Sequence, residues 1–182
     1  TVMVPVYSHL LELKSGYRYL MADNGLWIEA LPPWGHFRLP LWRSPRHLPY
    51  GAVDEVMHVR GGRIPGDVIN ECVEMAAANA LKGIEWAGWI AWSEGGGYEY
   101  IPLPALYESL TKVRYAAPRL PEGSHLILDL HSHPFDMDRF SAVDDRDDSG
   151  GTRFSGVVSF DGSMLPRVTV RLCIEGHFFD TG

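Results

Sequence analysis

Three features of the chain predict an α+β fold, bordering on α/β. One clear amphipathic helix opens at Pro65, and apolar runs of strand length follow it at residues 86–92, 98–101, 125–130, 154–160 and 168–174. The last two runs are joined by Asp161-Gly162, a turn pair, which lets them close a sheet. Residues 1–64 differ in texture, being rich in proline and aromatics and lacking helical periodicity, so they predict a small β-rich extension ahead of a main domain at 65–182.

In the extension, residues 17–22 and 26–30 flank Asp23-Asn24-Gly25. Asn-Gly supplies the positive φ angles of a tight hairpin. Pro32, Pro33, Pro40, Pro45 and Pro49 then punctuate short extended segments and turns. In the helix, Val68, Cys72, Val73, Ala76, Ala77 and Ala80 form one apolar stripe. Pro65 suits its first turn, Asp67 and Glu71 sit near the positive end of its dipole, and Lys82 and Gly83 suit the last turn and the cap. WAGWIAW at 86–92 reads as a buried strand that SEGGG turns into the strand at 98–101. Residues 106–115 fit either helix or strand, with the spacing of Val113 and Tyr115 leaning to strand. Pro118, Pro121 and Gly123 mark a loop, and Ser149-Gly150-Gly151 a flexible connection.

At 182 residues, with 46% hydrophobic and 21% charged residues, the chain suits one domain with a small appendage and can bury a core. A net charge of −7 argues against a general nucleic-acid binder. Arg38, Arg43, Arg46, Arg60 and Arg63 cluster in the first third and read as solvated surface charge. Cys72 and Cys173 are far apart and read as buried reduced thiols, which with the absence of a run of about 18 apolar residues predicts a cytoplasmic, non-membrane protein. The first twenty residues lack the basic start and apolar centre of a signal peptide, although the sequence does not begin with Met.

The chemistry concentrates at 126–148, LILDLHSHPFDMDRFSAVDDRDD. Residues i and i+2 of a strand share a face, so His131 and His133 project together from a strand that Pro134 ends. Two such imidazoles can bind one zinc ion, and a hydrolytic zinc takes three protein ligands with a fourth place open. Asp144, eleven residues after His133, is a candidate third ligand. Ser141, three residues before it, shares its face of a helical turn, and the same pair also fits a plain capping box. Asp136, Asp138, Asp145, Asp147 and Asp148 compete for the ligand role, but the segment lacks the glycine and terminal glutamate of an EF-hand loop. Hydrolysis also needs a base, and among Glu74, Glu85, Glu94 and Glu99 the best placed is Glu85, at the mouth of the buried strand, where partial desolvation is expected.

Glu85, then His131-Ser132-His133-Pro134, then Ser141-x-x-Asp144 resembles the motif of the JAMM (JAB, MPN+) metalloproteases. The serine follows the second histidine by eight residues, as in that family, and Glu85 precedes His131 by 46, as in compact prokaryotic members. The resemblance covers about residues 65–175. It implies a cytidine-deaminase-like curved mixed sheet flanked by helices. It implies Zn²⁺ held by His131, His133 and Asp144, with Glu85 activating water and Ser141 donating to the oxyanion. The implied reaction is hydrolysis of an amide or isopeptide bond at the C-terminus of a ubiquitin-like or sulfur-carrier-like protein. With its β-rich extension the whole chain is similar to the JAB-domain proteins of the PRTRC gene system, which implies ubiquitin-like and E1-like partners. Relatives without metal act as scaffolds, so a non-catalytic binding module is the alternative. The acidic residues Asp145, Asp147 and Asp148 have no role in the motif and read as a solvated loop.

Overall fold

The computed structural model describes residues 1–109, 112–115, 117–133 and 137–181, so Pro134 and Asp136 lie outside the described residues. The chain is mixed α and β, mostly strand, and divides into two compact units, Thr1–Gly62 and Arg63–Gly182.

The first unit is a five-stranded sheet in the order β1 (Val2–Met3), β2 (Gly16–Ala22), β3 (Gly25–Leu31), β4 (Gly35–Arg43), β5 (Val56–Val59). Only β1 runs parallel to its neighbour. The hairpin between β2 and β3 forms, but its loop is Asp23-Asn24, and the positive φ falls on Gly25 (137°) instead of on Asn24. A side chain at Gly25 would also strike the Trp42 carbonyl of the neighbouring strand. Asn24 braces the loop instead, donating from Nδ2 to the Val53 carbonyl at 2.8 Å and accepting from the Trp27 indole at 3.1 Å. The proline-punctuated segment is more regular than its composition suggests, because β4 runs for nine residues with Pro40 inside it. The register shifts beside Pro40, and such a bulge tolerates a residue that cannot donate.

One face of this sheet buries Leu20, Ala22 and Trp27 with Val4 and Val53. That face also carries Glu29, 2% exposed, between Arg18 and Arg38, its register partners on the flanking strands. Burial by itself would raise the Glu29 pKa, but hydrogen bonds from His36, Arg38 and Arg18 outweigh it and hold the carboxyl below its usual range. Arg38 is therefore no solvated surface charge, and Arg43 is partly engaged too, pairing with Glu55 and lying over the Trp27 ring.

The second unit is a six-stranded sheet in the order β13-β12-β11-β10-β6-β7, comprising β6 (Ala87–Ser93), β7 (Gly97–Pro102), β10 (Ser124–Ser132), β11 (Thr152–Phe160), β12 (Pro166–Ile174) and β13 (His177–Asp180). The segment that fitted either helix or strand forms two short paired strands, β8 (Ala105–Ser109) and β9 (Lys112–Tyr115). Between β11 and β12 the chain needs more than a two-residue turn: Asp161 Oδ1 accepts from the backbone of both Ser163 and Leu165, and Met164 takes φ 61°.

Helix α1 (Gly66–Ala80) starts just after Pro65, which stands at the cap position, and Gly83 (φ 69°) turns the chain beyond its end. Its predicted stripe is the buried one: Cys72 and Ala76 are fully enclosed and pack with Trp86, Ile90, Leu128, Leu130, Val158 and Phe160. Leu130 is held between Gly88 and Gly156, its register partners on both sides, and a Cβ on Gly156 would sit 2.6 Å from the Leu130 side chain. Cys72 and Cys173 are buried free thiols, and burial pushes both up to about 12, which keeps them protonated and unreactive. Among the described residues no helix is long and apolar enough to cross a membrane.

The sheet alternation separates packing from chemistry on β10. Leu128, Leu130 and Ser132 face the α1 core, while Asp129, His131 and then His133 face the other way. β10 runs parallel to β11, and the connection between them carries α2 (Ala142–Asp147), so the histidines leave the carboxyl end of a strand where a helix begins.

Candidate metal centre

His131, His133 and Asp144 are brought together with ligand atoms all within 4.8 Å of one another. His131 Nε2 lies 3.0 Å from His133 Nε2 and 3.2 Å from Asp144 Oδ1, and His133 Nε2 lies 3.4 Å from Asp144 Oδ2. Donors bound at 2.0–2.1 Å in a tetrahedron are separated by about 3.3 Å, so this triangle is the size of one ion's ligand set. Two nitrogens and one carboxylate oxygen suit a divalent transition metal and leave coordination positions open.

The protonation of the three groups follows from their crowding. Burial, then the charge of His131, lowers the His133 pKa and favours the neutral imidazole that binds metal. Burial would lower His131 as well, but the Asp144 hydrogen bond and charge reverse the direction. Asp144, despite its burial, is held well below the usual carboxylate range by His131 and the Ser141 backbone and side chain. His133 Nδ1 is buried without a full hydrogen bond, and the Met137 backbone is near enough to act on it electrostatically.

Ser141 and Asp144 form the capping box as well as meeting the site. The Ser141 hydroxyl accepts from the Val143 and Asp144 amides, both at 3.3 Å, and Asp144 Oδ2 accepts from the Ser141 amide. A serine hydroxyl has two acceptor sites and one donor, so the cap fills the former while the O–H is the donor that acts on the Asp144 carboxylate. Of the two readings of Ser-x-x-Asp, these hydrogen bonds show the capping box.

Glu85 lies half-buried between α1 and β6, outside the donor triangle. Ala87 pairs with His131 and Trp86 with Ser132, so the antiparallel register carried one step further sets Glu85 beside His133. Its charge acts on His133, and its backbone carbonyl accepts from the Tyr115 hydroxyl at 2.7 Å.

The model for prokaryotic homologs of the JAB domain matches residues 67–172, more than half of the chain. The chain belongs to this family. A domain of unknown function, DUF2016, matches residues 1–60. Comparison with curated proteins and with solved structures returned no match.

Around this JAB-domain site stand residues whose structural roles appear only in the fold. Ser132, between the two histidines, points to the core side, where its Oγ accepts from the Trp86 amide and its amide donates to the Trp86 carbonyl, both at 2.7 Å. It thus fixes the residue next to Glu85. Ser132→Ala would orphan the buried Trp86 N–H, with an expected loss of about 1–3 kcal/mol. Urea melts should show it, with Ser132→Thr, which keeps the hydroxyl, recovering most of the loss.

The acidic residues after Asp144 are not all a solvated loop. Arg171 on β12 pairs with Asp145 at 2.6 Å and Asp148 at 2.8 Å, and its guanidinium lies 3.7 Å from the Phe140 ring centroid and 4.0 Å from that of Phe178. Arg153 on β11 takes the other Asp148 oxygen at 3.0 Å and the Asp147 carbonyl at 2.9 Å. Asp138 is engaged elsewhere, by Arg167. A charged side chain inside an apolar strand was the available signal for Arg153 and Arg171, because such a group needs a partner.

Proposed function

We propose that this JAB-domain protein is a zinc-dependent peptidase or isopeptidase, and that its substrate is the C-terminal region of a ubiquitin-like or sulfur-carrier-like protein. The observation that carries the reading is the convergence of His131, His133 and Asp144 at single-ion spacing. His131, His133 and Asp144 would hold the zinc, with the Asp144 carboxylate kept ionised and His133 kept neutral for the purpose. When bound, zinc supplies a Lewis acid that polarises a carbonyl and makes water acidic. Glu85, beside His133, is assigned the proton taken from water and handed to the leaving amine. Ser141, its acceptor sites filled by the cap, is assigned the O–H that turns from Asp144 to the oxygen that gains charge in the tetrahedral state. A purely scaffolding role gives no reason for three donors to meet at ligand spacing. We also assign the sheet to the cytidine-deaminase-like type, supported by the parallel β10–α2–β11 unit within an otherwise antiparallel order. An E1-like enzyme of the same gene cluster is the expected second partner, and the cytoplasm the expected compartment.

Two measurements test this. Elemental analysis of the purified chain should give about one zinc per chain, and His131→Ala should lose it. Zinc retained by the variant would remove the ligand assignment, and iron in its place would point to a different chemistry for the two-histidine, one-carboxylate set. The zinc-loaded protein should then shorten a C-terminally extended ubiquitin-like partner from its own gene cluster, read by mass spectrometry. Tight binding without a mass change would favour the scaffold.

A further inference from the structure

The N-terminal unit holds a cavity of about 520 Å³ that the proposed hydrolysis does not use. Its floor is a row of charge across three strands: Arg18 on β2, Glu29 on β3 and Arg38 on β4 stand opposite one another in register. His36, two residues before Arg38 and so on the same face, joins them with its ring 3.0 Å from Glu29 Oε1. Glu29 Oε2 receives Arg18 through Nε at 2.7 Å and Nη2 at 2.6 Å, and Oε1 receives Arg38 through Nε at 3.0 Å and Nη2.

This cluster is not balanced. One buried carboxylate faces two guanidiniums, and among the described residues neither arginine has a second carboxylate at ion-pair distance. The other acids on the cavity do not fill the gap: Glu12 is turned to Lys14 in solvent, and Asp54 is exposed and reaches Arg38 only through its backbone carbonyl at 3.5 Å. Each guanidinium has five N–H donors in a rigid fork, and Glu29 uses one edge of each. The remaining donors belong to side chains that are mostly buried and line the cavity. Donors held in place before binding lose little freedom when they bind. The lining above them is mixed, with Leu10, Leu31 and Val53 as an apolar strip beside the polar Ser8, His9 and Asp54. A volume of this size is that of a small-molecule site.

We propose that this cavity binds a small organic oxyanion, a carboxylate or a phosphate monoester, with its head on Arg18 and Arg38 and its apolar body along Leu10, Leu31 and Val53. Calorimetry on the full chain tests it with four probes: N-acetylleucine, butyl phosphate, inorganic phosphate and the uncharged N-acetylleucinamide. One of the two organic anions should bind at one per chain, at least about tenfold more tightly than inorganic phosphate or the amide, and which one does so identifies the head group. The double variant Arg18→Lys, Arg38→Lys keeps a cation on each side of Glu29 but loses the free fork edges, and should weaken binding by about tenfold or more. Should that variant fold poorly, Ala52→Trp crowds the cavity from an exposed position without touching the cluster, and should weaken binding with the melting temperature unchanged. Absence of binding by every probe at about 10 mM, equal binding of the amide, or binding unchanged in a folded variant would overturn the proposal.

Discussion

Glu85→Gln is expected to leave zinc at about one per chain while lowering kcat by roughly 10²–10⁴-fold, the range for removing a positioned proton acceptor. Glutamine keeps the size of the side chain and its polar contacts, so the loss isolates the proton transfer. The structure offers a rival base in Asp129, whose carboxyl is pushed up to about 6, chiefly by burial and against the pull of Arg153. Asp129 shares a face with His131, but it lies two residues further into the strand, behind that histidine, with Arg153 at 3.8 Å. Glu85 lies two residues before β6, where the register carried past Ala87–His131 sets it beside His133, on which its charge acts. Asp129→Asn should therefore cost much less activity than Glu85→Gln at equal zinc content. The reverse order, measured on the same substrate, would move the base to Asp129. Loss of zinc from Glu85→Gln would make Glu85 a support of the ligands instead of a base.

Much of this arrangement was legible in the sequence, for identifiable reasons. LILDLHSH carries its own strand period, and that period alone predicts that the leucines pack while the histidines project. The α1 stripe was equally readable, since Cys72 and Ala76 fall at helical spacing and both are enclosed. Ser141-x-x-Asp144 was readable as a local motif, and its capping-box reading is the one the hydrogen bonds show. What could not be read depends on register across strands. Arg171 and Asp148 are separated by 23 residues and meet only once β12 is paired with β11. The Arg18–Glu29–Arg38 row likewise exists only in the register of β2, β3 and β4, so Arg38 looked like one more surface arginine. The one-residue offset of the first hairpin has the same origin, because sequence marks a turn but the pairing decides which residue takes the positive φ.

Arg171→Met is expected to destabilise the JAB unit by about 3 kcal/mol and, through α2, to weaken zinc binding by roughly 10–100-fold. Methionine keeps an unbranched apolar stem between Phe140 and Phe178, so the packing is largely retained and the charge is what is lost. Arg171 is 6% exposed and Asp148 is 5% exposed, so the carboxylate left behind cannot turn to water. The two acids raise the Arg171 pKa against the effect of burial, which is the direction expected of a pair more stable charged than apart. Arg153 still holds one Asp148 oxygen, which keeps the loss toward the lower end of the range for a broken buried pair. A drop of roughly 10 °C in melting temperature would correspond to that loss. The expected zinc effect follows from position: Asp144 lies between the Ser141 cap and the Asp145 and Asp148 anchors, so loosening the anchors lets this proposed ligand move. Combining Arg171→Met with Asp148→Asn separates this from simple loss of packing. If the ion pair is the cause, the arginine substitution should cost far less once Asp148 is already neutral, and equal costs in both backgrounds would mean that the aromatic stacking, not the charge, holds α2 to the sheet.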